Sequence, residues 1–177
     1  MDPFAAHLAR LGMSVDRAAE LTGTARQELG RDPGRAAALL ALTPASRYAR
    51  EALPTASTTA GAIAAELARG DETFALRLLA HDLAVLASLD HPADRALSLL
   101  PPPSTGDVRW DALLAAATRR QCRLSGWPAP AWTRCDPLER WWFVAAPPLL
   151  RARTVQRTPP ELGKLGIWIT ADALRAV

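Results

Sequence analysis

Between Asp71 and Asp90 apolar side chains return every three or four positions in two registers, Phe74, Leu78, Val85 and Leu89 in one and Leu76, Leu79, Leu83 and Leu86 in the other. The 3.6-residue period predicts a helix, and two apolar stripes predict that it is covered on two sides. Start signals for further helices recur along the chain. Ser14 stands before VDRAAELTG, Asp32–Pro33 before GRAAALLAL and Thr43–Pro44 before ASRYAREAL; each offers a side-chain oxygen to unpaired amides, and proline suits the first helical position. After the small-residue stretch PTASTT (54–59), AGAIAAELARG and HPADRALSLL add two more, and PPPSTGD (101–107) breaks the pattern. Asp107 then caps a helix ending at Gly126, with Val108, Leu113, Leu114, Ala117 and Leu124 facing the core and Arg109, Arg119, Arg120 and Arg123 forming a basic edge. Asp136–Pro137 resembles another start, for LERWWFV, followed by short helices over 147–166, a very short strand at Ile167–Ile169 and a last helix capped by Thr170. No alternating stretch is long enough for a sheet. The expected fold is all-α, a bundle of short helices with a Trp/Pro-rich C-terminal unit. Its expected regions are 1–56 (short helices), 57–100 (central helices) and 101–177.

Charge sharpens that division. The chain has 177 residues and a formal net charge of +3. Residues 1–56 carry seven bases and six acids, 57–100 three and six, and 101–177 eleven and six. The last region also holds all six tryptophans. A basic excess there favours an acidic partner surface or a phosphate backbone. Two cysteines thirteen positions apart, Cys122 and Cys135, make neither a metal motif nor a disulfide framework and read as reduced thiols. The start of the chain lacks the basic and apolar blocks of a signal peptide, and no apolar run reaches the roughly 20 residues of a membrane span. The expected location is the cytoplasm, with no membrane partner.

The inventory for catalysis is thin. His7, His81 and His91 are scattered, no glycine-rich phosphate loop occurs, and the carboxylate pairs Asp71–Glu72 and Asp90–Asp94 fall at helix starts, where negative charge complements the dipole. The expectation is no catalytic residue, no metal and no cofactor. Residues 13–32 can be aligned to a helix-turn-helix, with Gly23 in the turn and Thr24, Arg26, Gln27 and Arg31 placed to meet DNA. Two ordinary short helices with solvated arginines are the favoured reading, because this third of the chain has almost no net charge.

The segment LSGWPAPAWTRCDPLERWWF (124–143) holds four tryptophans and three prolines. Trp127, Trp132, Trp141 and Trp142, with Arg134 and Arg140, are candidate contacts for a protein partner, since Trp and Arg are enriched at interface hot spots. They can equally plug the end of a bundle. On a helix, Trp141 and Trp142 point about 100° apart, so one of the two is the candidate exposed anchor.

Thr105, Gly106, Asp107, Arg109, Trp110 and Asp111, then Gly126, Pro128, Pro130 and Trp132, then Lys164, Ile167, Trp168, Asp172 and Leu174 form an ordered set. In that set residues 101–177 resemble a family of small actinobacterial proteins described as regulators or antitoxin-like, some lying beside nucleotidyltransferase-type toxins. Trp168 stands where the family usually has phenylalanine. The resemblance implies a non-enzymatic regulator that neutralises a toxin partner. A transcriptional regulator that binds promoter DNA through the N-terminal segment is the alternative.

Overall fold

A computed structural model describes residues 3–145 and 147–175. Among these the fold is all-α, with ten helices: α1 Pro3–Arg10, α2 Val15–Thr22, α3 Pro33–Leu40, α4 Arg47–Arg50, α5 Ala56–Ala68, α6 Glu72–Ala87, α7 Pro92–Ser98, α8 Val108–Leu124, α9 Arg151–Arg157 and α10 Pro160–Gly163. The two strands, β1 Trp142–Phe143 and β2 Ile167–Trp168, pair in parallel. Two compact units emerge, residues 1–59 with 88–103 and residues 60–87 with 104–177. Residues 57–100 therefore contribute to both units, and the division near residue 103 falls inside the proline-rich break.

In the first unit α1 packs on α2 and α3, and α7 on the same two helices. Ser14 and Asp32 cap as the sequence leads one to expect, accepting from the amides of Arg17 (3.1 Å) and of Gly34 and Arg35 (2.9 and 3.1 Å). Thr43 does not start a helix. It holds a turn by accepting from Ala45 N, and α4 begins three residues later than expected, with Ser46 as its first flanking residue. Buried Asp94, in the first turn of α7, accepts from the first α4 amide, Arg47 N, at 2.9 Å. Helix α5 begins inside the stretch read as a linker. There Thr55 N donates to Thr58 Oγ1 (2.8 Å) and Thr58 N to Thr55 Oγ1 (3.3 Å), a reciprocal cap that satisfies two orphan donors. Gly23, at φ +64°, ends α2 in the left-handed region, and a Cβ there would lie 2.8 Å from Ser57 Oγ.

The second unit is built on α8. Its core joins Trp110, Leu113, Leu114 and Ala117 to Leu76, Leu79 and Leu83 of α6, Leu162 of α10, and Trp142, Ile167 and Ile169. Val108 and Leu124, expected in this core, are 74% and 56% exposed, being the end residues of α8 where the covering elements stop. One stripe of α6, Leu76, Leu79, Leu83 and Leu86, is buried; in the other, Leu78 and Val85 are half-buried, Phe74 is 43% exposed, and Leu89, just beyond the helix, is fully buried. Helix α8 ends in paired C-terminal bonds, Trp127 N to Cys122 O (2.8 Å) and Gly126 N to Arg123 O (3.2 Å), with Gly126 at φ +71°.

Candidate interaction surface

The residues 138–144, expected as a helix, are a loop leading into β1. The bonds Trp142 N to Gly166 O (2.8 Å) and Val144 N to Trp168 O (3.1 Å) register Trp142 against Ile167 and Phe143 against Trp168. On extended backbone successive side chains point to opposite faces. Trp142, Val144, Ile167 and Ile169 are accordingly buried, while Trp141, Phe143 and Trp168 face the other way.

Trp142 is thereby corrected from candidate anchor to core. It is 8% exposed and meets the fully buried Trp110 edge-on at 5.4 Å, with the Arg109 guanidinium 5.1 Å from its ring centre. Trp141 is 72% exposed. Its ring stands edge-on to Trp168 at 5.2 Å, Trp168 stacks on Phe143 at 6.1 Å, and Arg151 lies over Phe143 at 5.1 Å. The outer face is thus a row of three aromatic rings closed by a guanidinium. Phe143, Trp168 and Arg151 were not among the expected contacts; the two-residue alternation in WWFV and IWI was the signal that could have placed them.

The other expected contacts lie elsewhere. Trp127 is half-buried and Arg134 exposed, and both line a groove of about 780 Å³ beside α8. Trp132 is half-buried against the core, and it shares a second groove of about 640 Å³ with the exposed Arg140. That second groove also carries Arg109, Asp111, Asp136 and Glu139, so its charges nearly cancel. In the first groove Glu161 receives Arg123 at 2.6 Å and Arg120 at 3.2 Å. Burial pushes the Glu161 carboxyl up, but a backbone hydrogen bond and the two arginines outweigh it and hold the group below the usual range.

The residues behind the family resemblance have internal tasks. Asp111 accepts from Thr105 N and Thr105 Oγ1, each at 2.7 Å, and from Ser104 Oγ at 2.6 Å. Asp107 caps α8 through Arg109 N (2.8 Å) and pairs with the Arg109 guanidinium (2.6 Å). The Arg109 hydrogen bond, opposed by burial, lowers the Asp107 carboxyl pKa. Burial raises both thiols, Cys122 against an opposing backbone hydrogen bond and Cys135 with help from Asp136 against Arg119, so neither is activated for nucleophilic attack. Among the described residues no group of three or more His, Cys, Asp or Glu side chains is placed to hold a metal, and no helix is long and apolar enough to cross a membrane.

The N-terminal segment departs from a helix-turn-helix. After α2 and Gly23, where the helix-turn-helix alignment needs a recognition helix and the favoured reading placed an ordinary short one, residues 24–31 contain a single 3₁₀ turn, Arg26–Glu28. Thr24 is buried and bonded by Arg35, and Arg26 pairs with Asp16. Gln27 and Arg31 are exposed. These four side chains do not share one helical face. Comparison with protein families, with curated proteins and with solved structures gives no match for this chain.

Proposed function

We propose that the chain is a non-enzymatic regulator of the antitoxin kind, which docks on a protein partner through the outward aromatic row at Trp141 and occludes it. One observation carries this reading: Trp141 keeps 72% of its surface in water although its neighbour Trp142 is core. Its edge contact with Trp168 holds the ring in place before any partner arrives. A preformed aromatic loses little conformational entropy on binding, and Trp and Arg are both enriched at interface hot spots. The complementary surface is an apolar pocket rimmed by carboxylates, which would meet Trp141 together with Arg140 and Arg151. Occlusion requires no catalytic group, in keeping with thiols that burial leaves unactivated. A nucleotidyltransferase-type toxin as the partner follows from the resemblance of residues 101–177.

The test compares the wild-type chain with Trp141→Ala, each tagged and recovered from its native host, against the protein that co-purifies. A hot spot of about 2 kcal/mol or more weakens the complex about 30-fold or more, so the partner should be lost while far-UV circular dichroism is unchanged. Full retention of the partner by Trp141→Ala would refute docking at this face.

A further inference from the structure

The groove beside α8 is independent of the aromatic row. Its walls carry five cations, Arg119, Arg120, Arg123, Arg134 and Lys164, against the single carboxylate Glu161, a formal surplus of four positive charges. Glu161 is occupied by Arg120 and Arg123. Arg119, Arg134 and Lys164 are exposed, and their side chains make no ion pair or hydrogen bond among the described residues. Arg120 Nε is shielded from solvent and lies 3.2 Å from Glu161 Oε1, yet off its axis, so that N–H makes no hydrogen bond.

The helix dipole explains only part of this gathering, since Arg134 and Lys164 are the C-cap residues of the Ala131–Thr133 turn and of α10, both too short to sum a large dipole. Cations are favoured in the last turn of a helix, and of the five only Arg123 lies in the last turn of α8. Arg119 sits a turn earlier, Arg134 follows the Ala131–Thr133 turn, and Lys164 closes α10. Three segments distant in sequence converge their positive ends on one trough. Guanidinium groups match phosphate oxygens through paired donors. A volume of about 780 Å³ is of the size that holds small organic molecules, and Ala116, Ala129 and Leu165 supply apolar area between the charges. A monocarboxylate satisfies one of the three unpaired cations, whereas a chain of phosphates reaches several at once.

We propose that this groove binds a multiply charged organic phosphate of nucleotide size, its phosphates held by Arg119, Arg134 and Lys164 and its organic part laid on the apolar floor. The test is calorimetric titration of the full chain with ATP and with inorganic pyrophosphate, repeated on Arg119→Gln/Lys164→Gln and on Trp141→Ala. ATP should bind saturably with one site and more tightly than pyrophosphate. The double variant should lose at least tenfold in affinity, and Trp141→Ala should bind as wild type, which separates this site from the docking face. Backbone chemical-shift mapping of the wild type with ATP should move residues 119–123, 134 and 164 whether or not the double variant folds. Absence of saturable binding at about 1 mM ATP, wild-type affinity in a folded double variant, or shifts confined elsewhere would overturn the proposal. So would an acidic protein segment captured through these cations by a chain that binds no ATP.

Discussion

Replacing Trp142 by alanine should destabilise the C-terminal unit severely, and replacing its neighbour Trp141 should not. Trp142 is 8% exposed and Trp141 72%. A tryptophan presents up to about 250 Å², so roughly 230 Å² of Trp142 and roughly 70 Å² of Trp141 are covered. At about 25 cal/mol per Å² those areas correspond to roughly 6 and 2 kcal/mol. Both are upper bounds, because the unfolded chain already buries part of its apolar surface and alanine retains a methyl group. With those corrections the expected costs are about 4 kcal/mol for Trp142→Ala and about 1 kcal/mol for Trp141→Ala. The Trp142 figure includes the edge contact with Trp110 and the guanidinium of Arg109 over the ring. Urea titrations followed by circular dichroism at the helix band measure both. Equal costs, or a larger cost for Trp141, would show that the alternation assigned to β1 is wrong and that the outward aromatic row does not exist.

Asp111→Ala removes the acceptor of three hydrogen bonds and leaves the Thr105 amide unpaired, so it should cost about 2–3 kcal/mol in the same titration; a change within about 0.5 kcal/mol, the ordinary surface range, would contradict the structural role given to it. Because Arg109 holds the Asp107 carboxyl below its ordinary value, the unfolded chain takes up that proton first. The resulting stabilisation is complete above about pH 4 and is lost as pH falls through the lower folded-state value. Asp107→Asn should therefore flatten the fall in stability below about pH 4, and an unaltered slope would argue against the pairing. Thiol titration with an aromatic disulfide at neutral pH should be slow at Cys135 and should reach Cys122 only on unfolding, since burial raises both thiols; a fast burst would disprove this.

Local signals were readable where one residue and its next few neighbours decide the outcome. Ser14, Asp32 and Asp107 each present an oxygen two or three positions before the amide it accepts from, and each caps its helix. The inward run of α8 at Leu113, Leu114 and Ala117 follows from its 3.6-residue period. Periodicity does not report where the covering elements end, and that is why Val108, Leu124 and Phe74 were misplaced. Asp136–Pro137 carries the chemistry of a helix start, yet the chain beyond it is drawn out by Gly166 and Trp168, more than twenty positions away. That pairing replaced a helical 100° step between Trp141 and Trp142 by a strand's reversal, and so decided which of the two faces water. Three arginines of the basic groove were visible as an edge of α8. Arg134 and Lys164 reach it only through the tertiary fold, so no local pattern could have joined them to it.

The motif that carries the family resemblance is mostly scaffold. Thr105 and Asp111 tie the entry of α8, Asp107 caps it, Arg109 covers Trp142, and Trp110 is fully buried. Such residues are constrained by folding whatever the protein binds, and they mark no contact surface for a partner. Function is better sought in side chains that the fold leaves without a task, Trp141 on the aromatic row and Arg119, Arg134 and Lys164 in the groove. On the docking reading the net charge of the C-terminal region and the exposed ring act at different steps of association. Residues 101–177 carry eleven bases and six acids, and a surplus of that sign raises the rate of encounter with an acidic surface in a salt-dependent way. A desolvated aromatic ring acts instead on the rate of release. Salt should then move the association rate and Trp141→Ala the dissociation rate of one complex, a separation that a purely electrostatic attachment cannot produce.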